Sequence, residues 1–243
     1  MALYNKTTTK VIPTIAASIQ AGAAFANKDI LFDWHKVDGF KGVEINGITA
    51  IIRGTNGADQ TMVDFELLFA TSAIKEDTRG INVDTASGPP SLGTVNAGVS
   101  TYQWKNNLTG HFLFDVDVAN TTFNDGDLDV LNIVTASGLN IPVGQDLYVA
   151  AIVKGALDFR STVQVSTQTA TNTTDVVVKT TGALINFAPG DVLHDEDDQV
   201  IGTVKSVTDD NNIVLTENCA SVSAVNKDLY NIHPVQLILS ASS

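Results

Sequence analysis

The sequence predicts an all-β fold: an antiparallel β-sandwich of jelly-roll-like form, carrying an inserted small β-barrel. Three observations predict it. Thr, Val, Ile and Asn are abundant, and Gly or Asn-Gly breaks recur roughly every eight to twelve residues, the spacing of short strands in sandwiches and barrels. Stretches rich in Leu, Met and Glu with a 3.6-residue period are scarce, which leaves little from which to build amphipathic helices. Several segments alternate apolar and polar residues, the period that turns one face of a strand to a core and the other to water.

Taken in order, residues 1–28 are rich in Ala and Thr and poor in charge, and read as an N-terminal arm that is ordered against a neighbouring subunit. Ile30–Trp34 is a short apolar strand ending at a turn over Val37–Phe40. Val43–Asn46 and Ile48–Arg53 are two strands parted by Gly47. The strongest strand is Met62–Phe69, with Val63, Phe65, Leu67 and Phe69 on the core face and Met62, Asp64, Glu66 and Leu68 on the other. His111–Val118 and Gln145–Lys154 are further strands. Between Met62–Phe69 and His111–Val118, Ala70–Gly98 contains Ala86-Ser-Gly-Pro-Pro-Ser-Leu-Gly93, too dense in turn formers for regular structure. It reads as a long exposed loop, and Pro89, Pro90 and Leu92 are its candidate contacts with a neighbour.

Gln168–Thr174 is a polar Thr/Asn linker, and a dense series of short strands and turns follows it. Asp175–Lys179, Asp191–Leu193, Val200–Val207 and Ile213–Thr216 are strands. The acidic run Asp195, Glu196, Asp197 and Asp198 reads as a solvated hairpin tip and a second candidate contact surface. Ile232–Leu239 is a final alternating strand that rejoins the larger domain, which makes the small barrel an insertion. Surface loops accept such insertions at small entropic cost. The expected domains are the arm 1–28, a sandwich of 29–165 plus 231–243, and an inserted acidic barrel of 166–230.

Composition excludes several functions. The chain has 243 residues, 44% of them hydrophobic, enough for a core that needs no staples. Cys219 is the only cysteine, which excludes an intrachain disulfide and any multi-cysteine metal site; it reads as a buried small apolar residue. The formal charge of −13, with Lys and Arg in no dense block, opposes binding to a phosphate backbone, so no nucleic-acid partner is expected. The first residues lack the order of a secretion signal, and no 18-residue apolar run exists to span a membrane.

Chemistry is sparse. His35, His111, His194 and His233 are scattered without metal-ligand spacing, and no nucleophile elbow, P-loop or dinucleotide fingerprint occurs. Asp125, Asp127 and Asp129 stand at alternate positions, as the start of a calcium loop does, because a hard cation needs several oxygens on one side of a turn. The sixth and twelfth positions of that loop are Val130 and Ala136 where Gly and Glu are needed. These aspartates therefore form a partial ligand set, and no cofactor and no catalytic residue is expected.

The run from Phe187 to Asn218, with Pro189-Gly190 before one strand and an acidic hairpin before Ile201-Gly-Thr-Val204, resembles a small β-barrel module of tailed-bacteriophage virion structural proteins. Asp29–Trp34 through Phe65–Thr71 is similar to structural proteins of contractile-tailed phages of marine bacteria. Together the two stretches cover roughly a third of the chain. The resemblance implies a non-enzymatic virion component, assembled in the host cytoplasm. The leading form is a capsid decoration or cement subunit, trimeric, bound to the major capsid protein. The alternative is a neck, tail or baseplate component, or a carbohydrate-binding receptor module.

Overall fold

The computed structural model describes residues 6–53, 63–72, 88–116, 123–125, 128–142, 145–179 and 183–242. In chain order its elements are β1 (Lys6–Val11), α1 (Ala17–Ala21), β2 (Ile30–Lys36), β3 (Glu44–Arg53), β4 (Phe65–Thr71), a 3-10 turn (Gln103–Asn106), β5 (Leu108–Phe114), β6 (Phe123–Asp125), β7 (Leu128–Asn140) and β8 (Leu147–Val153). There follow β9 (Asp175–Val177), α2 (Ala183–Asn186), β10 (Val192–Asp195), β11 (Val200–Asp209), β12 (Asn212–Leu215), β13 (Leu229–Asn231) and β14 (Val235–Ser242).

The first sheet has the order β1-β14-β3-β7-β6 and the second β2-β8-β4-β5, with every pairing antiparallel. With the short β6 treated as the edge of its hairpin with β7, eight strands remain outside the β9–β13 insert. One sheet then joins the first, eighth, third and sixth of them, and the other the second, seventh, fourth and fifth. That is the strand order of a jelly roll, two Greek keys wrapped face to face. The cause is visible in the burial pattern. Ile48, Ala50 and Ile52 of β3 and Val235, Leu237 and Leu239 of β14 meet Phe65, Leu67 and Phe69 of β4 and Val149, Ala151 and Val153 of β8 in one core. Phe65 and Phe114 stack in it, their ring centroids 4.6 Å apart.

The two strands expected around Gly47 are one. β3 runs through this position with a bulge: against β14, Ile45 pairs with Ala241 and Gly47 with the adjacent Ser240, so Asn46 is an extra residue. An extra residue in one strand shifts the alternation by one, so the buried positions jump from Ile45 to Ile48. The sequence shows this as a break because its period falters there.

The arm is a correction. Residues 6–11 form β1, an edge strand paired with β14 from Lys6↔Ser242 to Val11↔Leu237, and Val11, Ile15 and Phe25 belong to the sandwich core. These residues are ordered by their own chain, through strand β14, which is distant in sequence. Residues 1–5 lie outside the described part, as does Met62.

The small barrel is also corrected. Its strands form a five-stranded sheet, β13-β10-β11-β12-β9, not a closed barrel ladder. Its two edges are linked through the segment 163–166, where Gln164 bridges to Asp228 and Val165 to Val178. Val163 and Val165 lie in the same core as Val176, Leu193, Ile201, Ile213 and Leu229, so this cluster starts slightly before the expected boundary at 166. Cys219 is buried in it, and burial pushes its thiol pKa up. Gly202, at φ +150°, sits beside the β10–β11 bulge, where a Cβ would come within 2.9 Å of Leu215. The chain then returns through Pro234 to β14, the sandwich strand between β1 and β3.

Candidate functional site

The acidic run is a solvated tip at Asp197 and Asp198, which are exposed, but Asp195 is buried and Asp198 also meets the segment around α1. Asp195 is 2% exposed; its Oδ1 accepts from the backbone N–H of Asp197 (3.1 Å) and Gln199 (3.0 Å), and its Oδ2 from the Ser223 hydroxyl (2.8 Å). One carboxylate thus closes the hairpin and ties it to a distant loop. Glu196 and Asp197 each hold Lys227 Nζ at 2.7 Å, which raises that ammonium's pKa. Asp198, at φ +63°, accepts from the Ser18 N–H at 3.0 Å.

The segment around α1 carries the joint between insert and sandwich. Ile15 N–H donates to the Ile232 carbonyl at 2.9 Å, and the buried Gln20 amide donates to the carbonyls of Ile15 and Asn231. On the sandwich side, Arg53 pairs with Asp191, whose carboxylate also accepts from the Ala188 N–H. Insert and sandwich are therefore joined by polar contacts as well as by the chain itself.

Three of the four histidines gather near this joint. His35 on β2 and His194 on β10 both sense the charge of His233, whose Nδ1 lies 3.3 Å from the Pro13 carbonyl. Burial holds the pKa of both His35 and His194 below the ordinary value, against the pull of Asp38 on the first and of Asp198 and Asp195 on the second. A histidine whose folded pKa is depressed binds its proton more readily in the unfolded chain, so stability falls as pH drops through the ordinary value of 6.5. The denaturation midpoint is expected to decrease between pH 7.5 and pH 5.5 or so, and the double substitution His35→Gln, His194→Gln to flatten that slope. A wild-type midpoint that does not change over this interval would contradict the assignment.

The segment expected to be an exposed loop does different work. Among its described residues, Leu92 is 0% exposed and packs with Ile30, Leu68, Trp104 and Ala150 in a separate cluster on the outer face of the second sheet. Its N–H donates to Asp33 at 3.0 Å, and the Trp34 indole donates to the Pro90 carbonyl at 3.0 Å. Pro89 is buried as well. The alternation of β4 implied an open face, but the segment covers Leu68 on that face, leaving only Glu66 partly exposed on the strand. Residues 73–87, where the long loop begins, lie outside the described part.

The partial calcium set lies on a hairpin. β6 and β7 pair Asn124 with Asp129 and Asp125 with Leu128. Asp129 is buried in strand β7, opposite Ile52, and Asp127 lies outside the described residues. Among the described residues, no three His, Cys, Asp or Glu side chains gather as a metal site.

Sequence reading missed a groove on the second sheet. Beside the Leu92 cluster lies a cavity of about 450 Å³ lined by Lys28, Glu66, Tyr102, Trp104, Ile152 and Lys154, among others. Trp34, Trp104 and Tyr102 form a chain of rings with centroids 5.9 Å and 6.0 Å apart. The two indoles are anchored inward, Trp104 donating to the Thr101 carbonyl at 2.7 Å, while Tyr102 is 67% exposed. Glu66 holds His111 at 2.7 Å and Lys154 at 2.5 Å. The only signal in the sequence was Tyr102 two residues before Trp104, which carries no pattern until both are seen on one face.

Fold and surface together define the class: an all-β jelly-roll sandwich with a second sheet inserted ahead of its last strand. No protein-family model matches the chain, and no curated protein is similar to it in sequence.

Proposed function

We propose that the chain is a structural subunit of a tailed-phage particle, a capsid decoration protein that binds the major shell protein as a trimer and adds buried interface area to it. The observation that carries this reading is the jelly-roll order with a module inserted between β8 and β14. Jelly rolls serve repeatedly as building blocks of viral shells, although the fold alone supports this by analogy. The acidic exterior supports it as well, because a net charge of −13 keeps free subunits apart and favours docking on a basic partner. The absence of a metal cluster among the described residues is neutral on this point.

Quantitative mass spectrometry of purified particles tests the reading. Shell symmetry multiplies its subunits, so copy numbers on the order of hundreds per particle are expected. About a dozen copies or fewer would replace the shell assignment with a neck, tail or baseplate position. Light scattering on the free protein tests the trimer, and a strict monomer bound to nothing would remove that part.

A further inference from the structure

We propose that the groove beside Tyr102 is a binding site for an acidic saccharide, a pyranose bearing one carboxylate or comparable acid group. The inference goes beyond the virion reading and does not rest on it. Three features of the groove converge. Tyr102 presents an aromatic face to solvent at 67% exposure, backed by Trp104, which is itself fixed by its hydrogen bond to Thr101. The negative face of such a ring attracts the polarised C–H bonds on the apolar side of a pyranose.

The second feature is charge. The chain as a whole carries −13, yet two ammonium groups, Lys28 and Lys154, line this groove against the single carboxylate of Glu66. Glu66 holds Lys154 through one contact, leaving that ammonium further protons to donate, and Lys28 makes no ion pair with a described residue. A local positive site on an acidic protein selects a singly charged anion, since the surrounding field opposes polyanions more strongly.

The third is backbone strain. Lys28 holds φ +78°, a left-handed conformation that is strained for a residue with a Cβ. Its N–H donates to the Val153 carbonyl at 2.7 Å, and the Asp29 carboxylate accepts from Ala26 N–H at 2.7 Å, so the turn that places Lys28 at the groove is held from both sides. A flat nucleobase would also stack on Tyr102. However, the Trp104 indole N–H is taken up by the Thr101 carbonyl, and no amide side chain among the described residues lines the groove to read a base edge.

Saturation-transfer NMR on the full chain tests this with three probes at about 10 mM, a concentration suited to millimolar affinity: methyl β-glucuronoside, methyl β-glucoside and adenosine monophosphate. The acidic glycoside is expected to take up saturation at its ring protons and the neutral one much less. Tyr102→Ala should abolish the signal, and Lys28→Ala should weaken binding about two- to fivefold, as loss of one exposed charge contact does. Tyr102 is exposed, so its replacement should leave the circular dichroism spectrum unchanged, and Lys154→Ala offers a second variant if that spectrum does change. No saturation of the glucuronoside, equal saturation of the neutral glycoside, preference for the nucleotide, or binding indifferent to Tyr102→Ala and Lys154→Ala would each overturn the proposal.

Discussion

Replacing Phe65 with alanine is expected to destabilise the protein by about 3–5 kcal/mol, the range found when a large buried ring is deleted from a packed core. Phe65 is 1% exposed and lies between the sheets, stacked on Phe114 with the rings 7° from parallel. Its removal takes away the transfer free energy of the ring, and leaves a cavity that neighbours on β8 and β5, held by ladders on both sides of β4, are poorly placed to fill. A loss of this size is a large share of the about 5–15 kcal/mol that holds a typical domain folded. Urea denaturation followed by fluorescence measures it. Val134→Ala, at a site 83% exposed, is the control and should change stability by no more than about 0.5 kcal/mol. A Phe65→Ala cost below about 1 kcal/mol would mean that the two sheets do not close on each other as described.

The second large effect is expected at Asp195. Asp195→Ala removes the acceptor of two backbone N–H groups and one hydroxyl, in a place where Asp195 itself is almost fully buried. Hydrogen bonds to an ionised acceptor contribute about 1.5–3 kcal/mol each, and the turn amides regain part of that from water, so a net cost of about 2–4 kcal/mol is expected. Asp195→Asn keeps one carbonyl oxygen and should lose less. Hydrogen exchange locates the damage: amides of Asp197 and Gln199 should lose protection first, followed by Ser18, whose acceptor Asp198 sits on the same hairpin. Unchanged protection at Gln199 in the alanine variant would show that the hairpin is held by something other than this carboxylate. Loosening that stays within the insert would show that it opens as its own cooperative unit.

Both effects arise from contacts between residues far apart in sequence, which is where reading the chain alone ran out. The strands themselves were largely legible. Ile30–Trp34, Phe65–Phe69, Leu147–Val153 and Val235–Leu239 are read correctly because β-branched and aromatic residues at a period of two have one economical arrangement, a pleated strand on a core. The long β7 was missed, since Leu128–Asn140 mixes Asp, Asn, Ser and Gly among its apolar residues and shows no clean period.

The candidate site was much less legible. Asp195–Asp198 drew attention as a dense negative charge, which in one dimension reads as solvated; its role follows from Ser223, Lys227 and Ser18, none of which its neighbours in sequence reveal. Pro89, Pro90 and Leu92 drew attention as part of a stretch dense in turn formers, which says where a chain bends and not which face it covers. Tyr102 drew none.

Residue order was therefore sufficient for the all-β class, the antiparallel sandwich and the second compact unit ahead of the final strand, because hydrophobic period and turn chemistry act over a few residues and leave their mark locally. Tertiary structure alone decided that residues 6–11 complete a sheet, that the outer face of β4 is roofed by residues near Leu92, that Asp195 is buried and Asp198 meets the segment around α1, and that Tyr102 and Lys28 share a groove. Each depends on which surfaces meet across long stretches of chain, and burial, once two surfaces meet, changes what a carboxylate, a proline or an aromatic ring does.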